Sequence, residues 1–317
     1  MRTILVTGGA GFIGSHVTAA LLERDLHVVC LDDFDDFYDP ALKRANVAPF
    51  EGRANWTLVE GDIRDAELVT RVYRRHGVSA TVHLAARVGA RVSVREGRLH
   101  EEVNGLGTVN LLEAAHRWGA YTFVLASAAA VYGDAGTGPF AEDAPAARPT
   151  SPYAATKRAN ELACHAYHHL YGLKATCLRL FTVYGPRQRP DMAIHHFTAA
   201  LAGGGAVPCF GDGTTARDYV HVDDVVEGVL AALDAGADFE IVNLGSGHAT
   251  PLRRVAELVA GAVGVPCRVD ELPLQPGDVA MTHADVARAK SLWGWEPAVG
   301  LEDGIARFVQ WYRRERA

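Results

Sequence analysis

Tyr153 and Lys157 stand four residues apart in Tyr153-Ala-Ala-Thr-Lys157, directly behind Ser151 and Pro152. Serine followed by proline is a helix-start signal, and residues four apart share a helix face. An ammonium beside a phenol, together with a nicotinium ring, favours phenolate and draws its pKa down from the usual value of about 10. Such a phenol can take a hydroxyl proton while hydride leaves the same carbon for a nicotinamide. Tyrosine and lysine at this spacing are common, and most such pairs are a half-buried tyrosine beside a solvated lysine. The pair gains meaning only if a redox cofactor is bound nearby.

Gly8-Gly-Ala-Gly11-Phe12-Ile13-Gly14 supplies that context. It follows a strand-like run, Thr3–Thr7, and precedes a helical pattern over Ile13–Arg24. Glycines there allow a tight turn and a close approach of backbone amides to a pyrophosphate, whose charge a helix N-terminus favours. The second strand pattern, His27–Leu31, runs into Asp32 and Asp33. A carboxylate at that place accepts both ribose hydroxyls of NAD and repels the 2′-phosphate of NADP. Gly61-Asp62-Ile63 falls where the adenine edge would be read.

The elements that must position these residues alternate along the chain. Thr57–Glu60, Thr81–Ala85, Thr122–Ala126 and Ala175–Leu180 read as further strands, with long helices predicted over Val103–Arg117 and Pro152–Tyr171. This order predicts an α/β fold, a Rossmann-type doubly wound parallel sheet with a smaller C-terminal α/β lobe. We expect a cofactor domain over residues 1–180, to which 220–244 returns, and a substrate lobe over 181–317 ending in an amphipathic helix, Leu301–Arg314. At 317 residues, with 49% hydrophobic and 22% charged side chains, the composition is ordinary for a globular chain. A formal charge of −7 argues against nucleic acid as the main partner. Five cysteines without a CxxC pair suggest buried free thiols in a reducing cytoplasm and no metal site. Neither a signal-peptide pattern nor a membrane-length apolar run is present. His165, His168 and His169 share a helix without partner carboxylates, and Trp293, Trp295 and Trp311 read as core anchors of the small lobe.

With these motifs in place, nearly the whole chain resembles the extended short-chain dehydrogenases/reductases that act on nucleotide sugars. Asn104-Gly-Leu-Gly107-Thr108, Val131-Tyr132-Gly133 and Arg217-Asp218-Tyr219-Val-His221-Val-Asp223-Asp224 are similar to segments of that family. Finer motifs resemble the UDP-glucuronate 4-epimerases: Asp35-Asp36-Phe37-Tyr38-Asp39-Pro40, Phe181-Thr182-Val183-Tyr184-Gly185-Pro186 with Arg189-Pro190-Asp191-Met192-Ala193, and Gln275-Pro276-Gly277-Asp278-Val279. Galactose-type epimerases usually carry asparagine where Thr182 stands. The resemblance implies NAD, held also by Ala85 and Asn104, and a UDP-sugar held by Arg87, Thr182, Arg189, Phe210, Arg217 and Asp278. In it Arg217 meets the diphosphate, as a bidentate guanidinium suits, Phe210 lies near the uracil, and Arg189 meets the sugar carboxylate. It further implies oxidation at C4, rotation of the 4-keto sugar and reduction from the other face. A homodimer through the helices matching Val103–Arg117 and Pro152–Tyr171 is implied as well.

One position departs from the pattern. In Ser127-Ala128-Ala129-Ala130-Val131-Tyr132-Gly133, Ala128 stands where the family has serine or threonine, whose hydroxyl helps relay the substrate proton. Either water or Ser127 fills in, or the alanine replaces a hydroxyl residue and the chain is impaired or traps substrate. Related dehydratases carry Asp-Glu at Ala129 and Ala130, and related decarboxylases a glutamate at Ala130; this chain has neither. Two alternatives to the glucuronate reading stand beside it: a 4-epimerase of a neutral UDP- or dTDP-hexose, and a catalytically silent NAD-binding protein.

Overall fold

The computed structural model describes residues 2–134, 136, 138–211, 213–273 and 279–316. Seven strands form one parallel sheet: β1 (Thr3–Thr7), β2 (His27–Asp32), β3 (Trp56–Glu60), β4 (Ala80–His83), β5 (Thr122–Ala128), β6 (Lys174–Leu180) and, later in the chain, β10 (Phe239–Leu244). Their order across the sheet is β3-β2-β1-β4-β5-β6-β10. β1 is buried at all five positions, as a central strand covered on both faces requires, and its continuous Ile-Leu-Val run reflects that.

Helices cover both faces. α1 (Phe12–Glu23) packs with α9 (Val222–Ala235) on one side. On the other lie α3 (Ala66–His76), α6 (Gly107–Trp118) and α7 (Pro152–Tyr171). α2 (Pro40–Val47) follows β2, and two short helices, α4 (Ala90–Ser93) and α5 (Gly97–His100), lie between β4 and α6. The remaining strands build smaller sheets. β7 (Thr182–Tyr184), β9 (Ala216–His221) and β11 (Ala249–Pro251) form one; β8 (Val207–Phe210) and β12 (Val269–Leu272) form the other. α8 (Ala193–Ala202), α10 (Leu252–Val263) and α12 (Leu301–Arg316) pack around a separate core that includes Tyr184, Phe197, Val255 and Phe308. α11 (Ala287–Trp293) lies against β10. Among the described residues no helix is long and apolar enough to cross a membrane.

Beyond shifts of a residue or two at other element ends, such as β5 reaching Ala128, three departures from the sequence expectations have a visible cause. The strand predicted to reach Ala85 ends at His83, because Leu84 N turns to Thr7 O and Ala85 N to Thr7 Oγ1. The helix predicted from Val103 begins as a π-turn over Glu101–Leu106 before α6 proper. Trp293 and Trp295 are not anchors of the small lobe; they pack with the α1/α9 core, where Trp295 Nε1 donates to Asp224 O. Trp311 does pack in the small lobe.

Candidate active site

In doubly wound sheets ligands bind at the carboxyl ends of the strands, where the winding reverses. Here that point lies between β1 and β4, and a cavity of about 1110 Å³ opens there, running from Gly8 to Arg217. This exceeds the roughly 300–1,000 Å³ of a pocket for a single small ligand.

At one end the wall is the turn after β1. Gly8 has φ 67°, a left-handed conformation that suits glycine. A Cβ on Gly14 would sit 2.1 Å from Gly8 O, so the helix starts with backbone on backbone. Gly8, Gly11, Phe12, Ile13, Gly14, Asp32, Asp62, Ile63 and Ala85 all line this end. The buried Asp32 carboxylate accepts from Ala10 N and Phe34 N, each at 3.0 Å, while burial pushes its pKa up. Asp62 is taken by Arg64, which donates from Nε and Nη2 at 2.8 and 2.6 Å. Asn104 does not line the cavity. Its buried amide donates to Arg87 O and Thr156 Oγ1 and accepts from Arg87 N, and so fixes the loop after β4. This side-chain bonding sits within the π-turn, where Asn104 O also accepts from Thr108 Oγ1.

The middle of the cavity is built by β5 and the start of α7. Ser151 caps the helix by accepting from Ala154 N, with Pro152 in the first turn. Tyr153 and Lys157, one turn apart, both reach the wall. Lys157 Nζ donates to Ala126 O at 2.8 Å. Burial lowers the Lys157 pKa to about 8, opposed by Glu161. Burial raises the Tyr153 phenol to about 12, and the charge that opposes it is that of Arg189. The expected lowering of the phenol by Lys157 together with a nicotinium ring thus has burial to overcome.

Ala126, Ala128, Ala129 and Ala130 present methyls along the same wall. Ser127 lines the cavity too, but its hydroxyl is bonded elsewhere. Neighbouring strand residues point to opposite faces, and Ser127 Oγ donates to Glu161 Oε1 at 2.6 Å on the α7 side. Glu161 also accepts Nε and Nη2 of the buried Arg179 at 2.9 and 3.0 Å, and Nη1 of Arg158. Burial would raise the Glu161 carboxyl, but these partners hold it below the usual carboxylate range.

At the far end Thr182, Arg87, Arg189, Phe210 and Arg217 line the cavity. Arg87 is ion-paired with Asp35 at 2.9 Å and Glu96 at 2.8 Å. Arg189 is paired with Asp191, and Arg217 Nη1 donates to Ala216 O. The Phe210 ring is covered by the Arg91 guanidinium at 4.6 Å. Asp278 lies outside the described residues. Sequence reasoning missed Phe37, Arg91 and Asp191 as wall residues. Asp191, two residues beyond Arg189, was readable as its partner; the folding back of Phe37 and Arg91 was not. His165 and His168 pack their rings on Phe239.

A family profile described as NAD-dependent epimerase/dehydratase matches residues 4–245. The chain belongs to that family. The UDP-glucuronate 4-epimerase of Thermodesulfobacterium geofontis is 38% identical over 312 residues, 98% of this chain and 96% of that one. The crystal structure of the Bacillus cereus UDP-glucuronic acid 4-epimerase, in complex with UDP-glucuronic acid and NAD, superimposes with a TM-score of 0.93. It is 32% identical, over 99% of this chain and all of that one. The Thermotoga maritima UDP-glucose 4-epimerase with UDP-glucose has the same TM-score at 34% identity, over the full length of both chains.

As a member of the NAD-dependent epimerase/dehydratase family the chain uses NAD, and its residues fit that cofactor. Gly8 packs so closely that a Cβ would lie 2.7 Å from Ala85 N, whereas a Cβ on Gly11 would meet only Gly8 O, at 3.2 Å. The turn thus leaves backbone open to a pyrophosphate at the start of α1. Asp32, on the same wall, suits a ribose diol.

Proposed function

We propose that this protein interconverts the C4 epimers of a UDP-sugar, UDP-glucuronate and UDP-galacturonate, with NAD held through the cycle. The observation that carries the reading is the single cavity joining the dinucleotide turn, the Tyr153/Lys157 pair and the Arg189 guanidinium. NAD, when bound, supplies a hydride acceptor and a positive ring that lowers the phenol pKa. Tyr153 then removes and returns the 4-hydroxyl proton. Lys157, fixed on Ala126 O, keeps an ammonium at the same helix face. Arg189 receives the sugar carboxylate and holds it away from the geometry in which a β-keto acid loses carbon dioxide. Phe210 and Arg217 are assigned to the uracil and the diphosphate. No carboxylate stands at Ala129 or Ala130, so these two positions supply no acid or base for chemistry at C5 or C6.

On this reading residues 1–180 with 220–244 form the cofactor domain and 181–317 the sugar lobe. Exposed apolar side chains on the adjoining helices α6 and α7, Val109, Leu162, Leu170 and Tyr171, with Leu106 just before α6, support a homodimer. Four buried thiols, Cys30, Cys164, Cys177 and Cys209, suit a reducing cytoplasm.

A second reading, 4-epimerisation of a neutral hexose, is favoured by the methyl wall of Ala128–Ala130 and by the likeness to the UDP-glucose enzyme of Thermotoga maritima. Substituting Arg189→Ala separates the two. The first reading expects the Michaelis constant for UDP-glucuronate to rise far more than that for UDP-glucose; equal changes would favour the second.

A further inference from the structure

Arg189 is held by one edge only. Its Nε donates to Asp191 Oδ1 at 2.9 Å and its Nη2 to Asp191 Oδ2 at 2.8 Å. A guanidinium has two edges that can each grip a carboxylate: the side edge of Nε and Nη2, and the outer edge of Nη1 and Nη2. Asp191 occupies the side edge. Among the described residues Nη1 makes no hydrogen bond, and the outer edge is left to a ligand.

The group also meets an aromatic ring. Phe37 meets two guanidiniums, with Arg87 at 4.6 Å and Arg189 at 5.4 Å from its ring centre. The loop is pinned by Gln188, whose Nε2 donates to Val183 O and whose Oε1 accepts from His195 N. Phe37, Arg189, Asp191, Thr182 and Tyr153 all line the same cavity.

We propose that Asp191 is a positioning residue that, with Phe37, orients Arg189 so that its outer edge receives the carboxylate of an acidic UDP-sugar. This rests on the uronate reading above. It makes Asp191 a determinant of the choice between acidic and neutral sugars, although it carries the same charge as the group it helps to bind. The opposite role is physically open to such a residue: a side chain that competes with the substrate carboxylate for the same fork. The unused outer edge favours positioning over competition.

Steady-state kinetics of Asp191→Ala, Asp191→Glu and Phe37→Leu with UDP-glucuronate and UDP-glucose decide it. Positioning expects Asp191→Ala to raise KM for UDP-glucuronate by about 10-fold or more. The fall in kcat should be smaller, as should the change in KM for UDP-glucose. Asp191→Glu should recover part of the loss, and Phe37→Leu should move KM in the same direction. Asp191 is 43% exposed, so unfolding temperature serves as the control for fold. A lower or unchanged KM for UDP-glucuronate in Asp191→Ala overturns the proposal while leaving the uronate reading intact. A wild-type protein that converts UDP-glucose but not UDP-glucuronate overturns both.

Discussion

Ser127 Oγ and Glu161 Oε1 lie 2.6 Å apart on the α7 side of β5, so the hydroxyl next to Ala128 in sequence is engaged by a carboxylate. The position able to restore a proton relay is then Ala128. We expect Ala128→Thr to raise kcat for 4-epimerisation by about 10²-fold, the lower end of what a placed acid–base group contributes. By contrast, Ser127→Ala removes a donor from a buried carboxylate. It should cost roughly 1–3 kcal/mol of stability, read as a lower unfolding midpoint with KM unmoved. A large gain in Ser127→Ala, or none in Ala128→Thr, would show that the strand is read wrongly.

Lys157 carries a pH signature of its own. Burial lowers its pKa from 10.5 to about 8, so between those values the unfolded chain binds a proton that the folded one does not. Stability therefore rises with pH across that window, by roughly 3 kcal/mol at most. Below pH 8 the cost of the buried charge is present in full. Comparing unfolding of wild type and Lys157→Met by denaturant from pH 7 to 10.5 isolates the effect. The variant should lack this rise and should also lose epimerase activity.

The dinucleotide turn separates packing from cofactor approach. A Cβ at position 14 would lie 2.1 Å from Gly8 O, whereas one at position 11 meets that oxygen only at 3.2 Å. Gly14→Ala should destabilise the chain outright. Gly11→Ala should fold with an unfolding midpoint near that of the wild type yet retain little NAD, measured on the denatured protein by absorbance or chromatography. Equal NAD content in Gly11→Ala and wild type would remove the pyrophosphate from this turn.

The exposed side chains of Leu162 and Leu170, at 56% and 64%, predict self-association through α7. Leu162→Glu should shift the mass by light scattering from dimer to monomer at micromolar concentration. A monomeric wild type would contradict the dimer.

Much of this architecture was legible because its signals are local. Thr3–Thr7 and Pro152–Tyr171 match the sequence expectation at both ends, since a fully buried strand is a continuous apolar run and a Ser-Pro start fixes a helix. The turn at Gly8–Gly14 was readable for the same reason. What was not legible depends on distant partners. The π-turn at Glu101–Leu106 coincides with the bonding of Asn104 to Arg87 and Thr156. The raised phenol of Tyr153 follows from how deeply β5 and α7 bury it. Alternation along β5 did warn that Ser127 is no ready substitute for a hydroxyl at Ala128, but only the fold reveals Glu161 and Arg179 waiting there.

The most direct test follows the hydrogen at C4. UDP-glucuronate carrying deuterium at that carbon is incubated with the NAD-loaded protein, and with its Ala128→Thr variant, in ordinary water. UDP-galacturonate is then isolated and its C4 position read by NMR. Oxidation and reduction by one NAD held through the cycle predict a product that keeps its deuterium. A product with the label washed out, or no UDP-galacturonate from either protein, would contradict 4-epimerisation by this site.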